Sequence, residues 1–388
     1  VAPERPPRST GTAARCGKDA AVSPRYLPLS SAKPPPLMCG VSTTPAVPLE
    51  LRFLNRSFSF STLALHPSER PVPGVSRQGT LFPLFQQGNF DSLKSRIFGI
   101  IEDMKIPREV ESAFPVRPFA ATKYSVGTVT IVGGSGHYIH APVISALGAR
   151  AAGAGLVQLV VPDASRIAAG VHVPEATFTK LTLACVPPKA DVTVAGMGLS
   201  TGLNAQAILS RILSGSSGRF VLDADALTIL AGWYAESNPH TAVSGQELVL
   251  TPHEGEAARL LGVRREKVSA DRSGAAHALA ARYHATIVLK GPDTLVVSAD
   301  GRRVYKNGTG NPAMALGGMG DLLSGVLGAR WAYLRGDAFT AACAAVWLHG
   351  AASDNLVAAG GDPSLANTAA ALGSLRARLD RGEGAGAE

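Results

Sequence analysis

The chain has 388 residues, is 46% hydrophobic and carries a formal net charge of +8, so it is long and apolar enough for one large domain or two small ones with a sizeable core. Residues 1–90 hold ten Lys/Arg against four acids, which is +6 of the total +8; the basic excess therefore sits in the tail and does not argue for a nucleic-acid groove in the body. Cys16, Cys39, Cys185 and Cys343 lack paired spacing, which disfavours a disulfide framework or a zinc site, and no apolar run reads as a membrane span.

Fourteen of the 27 prolines fall in residues 1–90, with many Ser and Arg and no apolar period. Such a segment buries too little apolar surface to offset its ordering entropy and is expected to stay disordered. Inside it, Arg52-Phe53-Leu54-Asn55-Arg56-Ser57-Phe58-Ser59-Phe60 is Arg/Ser-rich and free of acids, the composition of an organelle transit peptide, mitochondrial or other; a plain extension on a cytoplasmic chain is the alternative. Residues 91–118 read as a connector, with a short helical stretch reaching 104 and extended, Pro-containing chain after it. The folded body is expected over 119–382.

In that body short β-branched runs alternate with longer helical patterns. Residues 128–132, 156–161, 192–195, 220–222, 248–250 and 286–289 read as buried strands. Helices are expected at 142–152, 204–213, 254–261 and 269–283. Residues 294–298 and 303–305 flank Ala299-Asp300-Gly301 as a hairpin, and helices 320–334, 338–355 and 364–379 follow. The alternation predicts an α/β fold with a mainly parallel sheet covered on both faces. Ligands in such folds bind at the carboxyl ends of the strands.

Several strands run straight into unusual residues. The first ends in Gly133-Gly134-Ser135-Gly136-His137, a weak dinucleotide signal because it is not GxGxxG and no acid closes the next strand; GxxxxGK[ST] is absent, which disfavours a P-loop enzyme. Others end in Gly196-Met197-Gly198-Leu199, in Asp223-Ala224-Asp225, in Thr251-Pro252-His253-Glu254-Gly255-Glu256 and in Lys290-Gly291-Pro292-Asp293-Thr294. Asp225 reads as a helix cap, while Asp223 stays open between structure and chemistry. Thr251 reads as a cap, Pro252 as a first helical residue and the acids as first-turn residues. Lys290 is either a phosphate contact or a surface lysine.

The most informative stretch is Asn311-Pro-Ala-Met-Ala-Leu-Gly-Gly-Met-Gly-Asp321-Leu-Leu-Ser-Gly325. Gly317, Gly318 and Gly320 let a ligand approach the backbone, and free N–H groups at a helix start favour a phosphate. Asp321 would repel that phosphate unless it took a proton from an attacking hydroxyl; the alternative is an ordinary acid in the first helical turn, and the stretch alone does not decide between the two.

As an ordered set, Gly133-Gly134-Ser135, Ala141-Pro142, Ala152-Gly153-Ala154-Gly155-Leu156-Val157, Gly196-x-Gly198-Leu199, Leu222-Asp223-Ala224-Asp225-Ala226-Leu227, Thr251-Pro252-His253-x-Gly255-Glu256, Lys290-Gly291, Gly317-Gly318-Met319-Gly320-Asp321 and Leu348-His349-Gly350 resemble the NAD(P)H-hydrate dehydratase family of the ribokinase-like superfamily. The resemblance implies a ribokinase-like three-layer α/β/α sandwich. It implies repair of hydrated NADH or NADPH (the S epimer of NADHX or NADPHX) by phosphorylation of the ring hydroxyl and loss of phosphate. Asp321 is then the base and a substrate contact, together with Ala141, Gly198 and His253. Lys290, Gly291, Pro292, Asp293, Thr294, Gly317, Gly318 and Gly320 form the nucleotide site. The co-substrate is ADP or ATP, and the motif forms resemble the bacterial, ADP-using type. Mg²⁺ is expected with the phosphates, with no metal ligands assigned. A hydrate epimerase on a separate chain is the expected functional partner, since residues 1–118 are too short and Pro-rich to be one. No nucleic-acid or membrane partner is expected, and the resemblance is compatible with a homo-oligomer.

The chain departs from the family pattern at Met197, Ser200, His140 and Ala313, and Ala313 would be strained if its position required a positive φ. Two other readings share Asp321: a small-molecule kinase acting on a vitamin precursor such as hydroxyethylthiazole, and a degenerate nucleotide-binding module.

Overall fold

The computed structural model describes residues 106–214, 218–235, 243 and 245–383. Segment 1–90, with its stretch 52–60, and the helical stretch expected up to 104 lie outside the described residues.

Uninterrupted β-branched runs give strands buried on both faces. Nine strands form: β1 (Thr128–Val132), β2 (Leu156–Val161), β3 (Thr177–Lys180), β4 (Val192–Ala195), β5 (Arg219–Leu222), β6 (Glu247–Leu250), β7 (Thr286–Leu289), β8 (Leu295–Val297) and β9 (Val304–Lys306). They make one sheet in the order β3-β2-β1-β4-β5-β6-β7-β8-β9. The pairs from β3 through β7 are parallel, and β8 and β9 add on as an antiparallel hairpin. The strand order reverses at β1, where the chain leaves toward β2 and returns to β4. A crevice opens at the carboxyl ends of such a switch point.

Because successive strand residues point to opposite faces, each strand feeds two cores. Val221, Val249 and Val288 join one; Phe220, Leu222, Leu248, Leu250, Ile287 and Leu289 join the other. The first is covered by α1 (Arg108–Glu111), α2 (Ala141–Ala151), α3 (Asp163–His172), α9 (Met319–Leu334), α10 (Ala338–Ala358) and α11 (Leu365–Leu379). The second lies under α4 (Leu203–Leu213), α5 (Asp225–Ala235), α6 (Glu254–Leu261), α7 (Arg265–Ala270) and α8 (Arg272–Tyr283). This is the expected three-layer α/β/α sandwich with a mainly parallel sheet.

The helix that carries Asp321 is held by its glycines. A Cβ at Gly328 would sit 2.5 Å from Val194, and one at Gly325 would sit 1.8 Å from the Ser145 carbonyl oxygen of α2. Gly148 of α2 meets the Leu322 carbonyl as closely, at 2.1 Å. Missing side chains thus set α9 flush on β1, β4 and α2, which fixes where its first turn stands.

Four details differ from the sequence reading. Edge strand β3 and helix α3 went unread: β3 is only four residues and largely exposed, and α3 follows Pro162 as a weakly apolar run. The helix expected over 269–283 is two, because Asp271 leaves the helical region (φ −141) and caps α8 through Gly274 N–H. Among the described residues of the expected connector, Val110, Ala113 and Phe114 are buried in the first core. The buried Arg330 guanidinium donates to the Ala113 carbonyl and lies 4.6 Å from the centre of the Phe114 ring. Ala313 has no positive φ; the strained replacement is Ser200, at φ 74.

Candidate active site

The residues singled out at strand ends converge on one edge of the sheet. Gly134 N–H, after β1, donates to the Met197 carbonyl after β4 at 2.8 Å. A Cβ on Gly198 (φ +63) would meet Tyr138 Cβ at 2.4 Å and Ala141 Cβ at 3.3 Å. Ala141 and Gly198 are therefore neighbours. Asp225 is the first residue of α5 and does not cap it; its Oδ2 accepts the Ser200 N–H at 2.7 Å. That bond holds the strained Ser200 turn beside Gly198.

Asp223, after β5, is nearly fully buried and accepts a 2.7 Å bond from the Lys290 ammonium after β7. Lys290 Nζ also lies 3.8 Å from Glu256 Oε2 of α6. A Cβ on Gly320 would stand 3.3 Å from the same ammonium, so Lys290 lies against the first turn of α9. Lys290 is thus a half-buried cation held among carboxylates, its side chain 18% exposed, and not a free surface lysine. Burial penalises its charge, but Asp223, Glu256 and Asp321 outweigh that and raise its pKa above the ordinary lysine value. Glu256 is pushed up by burial, with Lys290 opposing and Asp223 adding. Arg272 bolts this corner from below, bonding Glu254 at 2.7 Å and the Leu289 carbonyl at 3.1 Å.

Asp321 shares this environment. Burial first, and then Asp223, push its carboxyl up to about 7, against the pull of Lys290. Gly318 (φ +93) starts α9 without a side-chain cap, so first-turn N–H groups stay available for an anion. A carboxyl that titrates near neutrality beside a fixed cation and a free helix N-terminus suits proton abstraction coupled to phosphoryl transfer.

His253 corrects the expectation that Thr251 caps α6. Its Nδ1 accepts from the Gly255 and Glu256 N–H groups, and Glu256 returns a 2.8 Å bond to the His253 N–H. An acceptor Nδ1 fixes the tautomer with the proton on Nε2. Burial and the nearby Lys290 lower the His253 pKa, so the ring is neutral near pH 7 and its half-exposed Nε2–H can donate to a ligand.

Beyond Lys290 opens a cavity of about 660 Å³. Lys290, Gly291, Pro292, Asp293, Thr294 and Gly320 line it, whereas Gly317 and Gly318 do not. The part of the far wall from Asn307 to Gly310, and its ties to α10, went unread in the sequence. There the loop from Asn307 to Asn311 is laced to α10: Asn307 donates to the Val346 carbonyl, Thr309 to the Trp347 carbonyl, and Gly310 N–H and Asn311 to Asp354. His349 stands in the same wall. The Leu348-His349-Gly350 motif was its only signal. Among the described residues no group of three or more His, Cys, Asp or Glu could hold a metal ion.

The comparisons with known proteins meet this geometry. The NAD(P)H-hydrate dehydratase family model matches residues 129–372. A bifunctional NAD(P)H-hydrate repair enzyme of Gloeobacter violaceus is 41% identical over 65% of this chain and 50% of its own length. The ADP-dependent (S)-NAD(P)H-hydrate dehydratase of Neisseria meningitidis is 39% identical over 62% of this chain and 81% of its own. The chain thus spans about half the length of the bifunctional relatives it matches. Among solved structures, the ADP/ATP-dependent NAD(P)H-hydrate dehydratase of Bacillus subtilis, co-crystallised with ATP/Mg²⁺, superposes with a TM-score of 0.61 at 26% identity, covering 70% of this chain and 96% of that one. A ribokinase-like superfamily protein of Enterococcus faecalis, at 23% identity, shares the fold with a TM-score of 0.59 over 72% of this chain and 99% of its own. The fold is ribokinase-like, and with the family model covering most of the body, the chain belongs to the NAD(P)H-hydrate dehydratase family.

Proposed function

We propose that the chain returns the S epimer of hydrated NADH or NADPH to the reduced cofactor at the expense of a nucleotide, ADP in preference to ATP. The observation that carries this is Asp321, a carboxyl raised to about 7 at the uncapped start of α9. It takes the proton of the ring hydroxyl, whose oxygen attacks the terminal phosphorus of the nucleotide. The bond to the leaving phosphate breaks, so ADP departs as AMP. The ester C–O bond then breaks, phosphate leaves with the electron pair, and loss of a proton from the adjacent ring carbon restores the double bond.

Lys290 and the first-turn N–H groups of α9 supply fixed positive charge where the transferring phosphoryl group gains negative charge. Ala141, Gly198 and His253 line the side on which the hydrate binds, with Gly198 leaving room and His253 donating from Nε2. The Neisseria relative, an ADP-dependent enzyme, supports ADP as donor; the Bacillus relative, an ADP/ATP-dependent one, allows both nucleotides. With no protein cage for a cation among the described residues, Mg²⁺ is assigned to the nucleotide phosphates, its usual seat, and no step here runs through it. The bifunctional relatives, of which this chain spans about half, suggest a hydrate epimerase as a functional partner.

Incubating the full chain with hydrated NADH, ADP and Mg²⁺ should give NADH, AMP and phosphate in equal amounts. A stable phosphorylated alcohol that never becomes NADH would sink this reading and favour the kinase. We also propose that segment 1–90 directs the chain to an organelle, on the composition of residues 52–60. A reporter fused to that segment should leave the cytosol; an evenly cytosolic signal would refute the idea.

A further inference from the structure

The cavity beyond Lys290 has two unlike ends. At the α9 end stand the charges, Lys290 with Asp223, Glu256 and Asp321 close by. Toward α10 the lining includes Val346 and the Gly350 backbone, with Met314 and Pro312 of the preceding loop, an apolar stretch that suits a heteroaromatic ring. Such a stretch binds a ring but selects none unless a polar group faces it.

Most polar side chains that line this cavity are already engaged within the protein. Asn307 donates to the Thr309 and Val346 carbonyls and accepts from the Tyr305 hydroxyl. Thr309 donates to the Trp347 carbonyl, Thr294 to the Gly291 carbonyl, and Asn311 to Ser353 and Asp354. Asp293 pairs with Lys306 at 2.8 Å and Lys290 with Asp223 at 2.7 Å. His349 is the exception. It is 94% buried (6% exposed), and its Nε2 has no hydrogen-bond partner. Buried polar nitrogens are rarely left so. Burial alone lowers the His349 pKa to about 4, with no charged neighbour contributing. The ring is therefore neutral at pH 7 and electrically remote from the Lys290 end.

We propose that His349 is the group that recognises the nucleobase of the nucleotide co-substrate, turning its ring on nucleotide entry to bond the edge of a purine. The proposal rests on reading this cavity as the nucleotide site. It places the base at the α10 end and the phosphates at Gly320 and Lys290. Neutrality matters, since an imidazole that is half protonated would lose its acceptor nitrogen in part of the population. The unpaired nitrogen is then a cost carried by the empty protein and relieved by the ligand.

The experiment is calorimetric binding of ADP, GDP and inorganic tripolyphosphate to the full chain and to His349→Leu and His349→Gln, with thermal unfolding of each. His349→Leu should weaken ADP by about tenfold, the worth of one good hydrogen bond. It should leave tripolyphosphate unchanged, narrow the gap between ADP and GDP, and keep or raise Tm, because it removes an unpaired buried nitrogen. His349→Gln, which keeps a hydrogen-bonding group at the place of Nε2, should recover part of the ADP affinity. ADP affinity unchanged in His349→Leu, or ADP and tripolyphosphate weakened alike, would overturn the proposal. So would a wild-type chain that holds ADP no better than tripolyphosphate. A wild-type chain that binds ADP through its base yet restores no NADH would sink the dehydratase reading and leave this one standing.

Discussion

The two ends of the cleft are built from the same helices and strand ends but solve opposite problems. At the α9 end, Asp223, Glu256 and Asp321 surround one ammonium, and burial, with Asp223 adding and Lys290 opposing, raises Asp321 to about 7. At the α10 end most polar side chains that line the cavity are engaged within the protein, and His349, whose Nε2 is unpaired, is neutral because it is dry. One end gains reactivity from crowded charge and the other gains selectivity from an almost complete absence of it. Burial alone is therefore not the signature of function here: it raises an acid in one place and silences a base in the other.

The comparison breaks most visibly at Asp321. Replacing it by Asn removes the base and is expected to lower the rate of NADH recovery by about 1,000-fold, the usual range for general-base catalysis, with ADP affinity kept. Lys290→Met leaves Asp223 and Glu256 buried without their cation. It should cost about 3–5 kcal/mol of stability, read by denaturant unfolding, and should abolish turnover.

The two ends also give opposite pH slopes. Asp321 has a folded pKa above its unfolded value, so between about 4 and 7 the folded state binds the extra proton and stability falls as pH rises. His349 has a folded pKa below its unfolded value, so between about 4 and 6.5 the unfolded state binds the extra proton and stability rises with pH. In the wild-type chain the two largely cancel. Asp321→Asn should expose the rising slope and His349→Leu the falling one, each at most about 1 kcal/mol per pH unit. Unfolding measured from pH 4 to pH 8 checks this, and parallel curves for the two variants would contradict it.

Smaller effects are expected on the substrate side. Gly198→Ala puts a methyl 2.4 Å from Tyr138 Cβ at a positive φ; it should cost about 1–3 kcal/mol and raise KM for the hydrate more than it lowers kcat. Ser200→Gly relieves a positive φ held by the Asp225 bond and should raise stability by less than about 1 kcal/mol, since glycine also loosens the unfolded chain. A large loss of activity in that variant would show that the strain is used.

The sheet was largely legible because its strands are short, apolar and unbroken: six of the parallel strands and the hairpin stand within a residue or two of their expected places. The α9 boundary was legible from its glycines. What escaped had little local pattern. Edge strand β3 is too short and exposed to show a period. His253 is an unusual cap, so Thr251 drew the assignment that the imidazole fills. Glu256 read as a first-turn acid because nothing near it in sequence announces Lys290, 34 residues on. The wall of the cavity joins Asn307 to Val346 across 39 residues, and hydrogen bonds at that range leave no spacing to read. Lys290 through Thr294, which line the cavity, and Asp321 could be singled out because strand ends and glycines mark them locally.

The most direct test of the central claim follows the oxygen. Hydrated NADH carrying oxygen-18 in its ring hydroxyl is turned over with ADP, and the label is traced by mass spectrometry. If Asp321 prepares that hydroxyl to attack phosphorus, the label appears in inorganic phosphate in step with NADH. Label in water, with unlabelled phosphate, would mean that the hydroxyl leaves directly and that the phosphoryl-transfer account of this site is wrong.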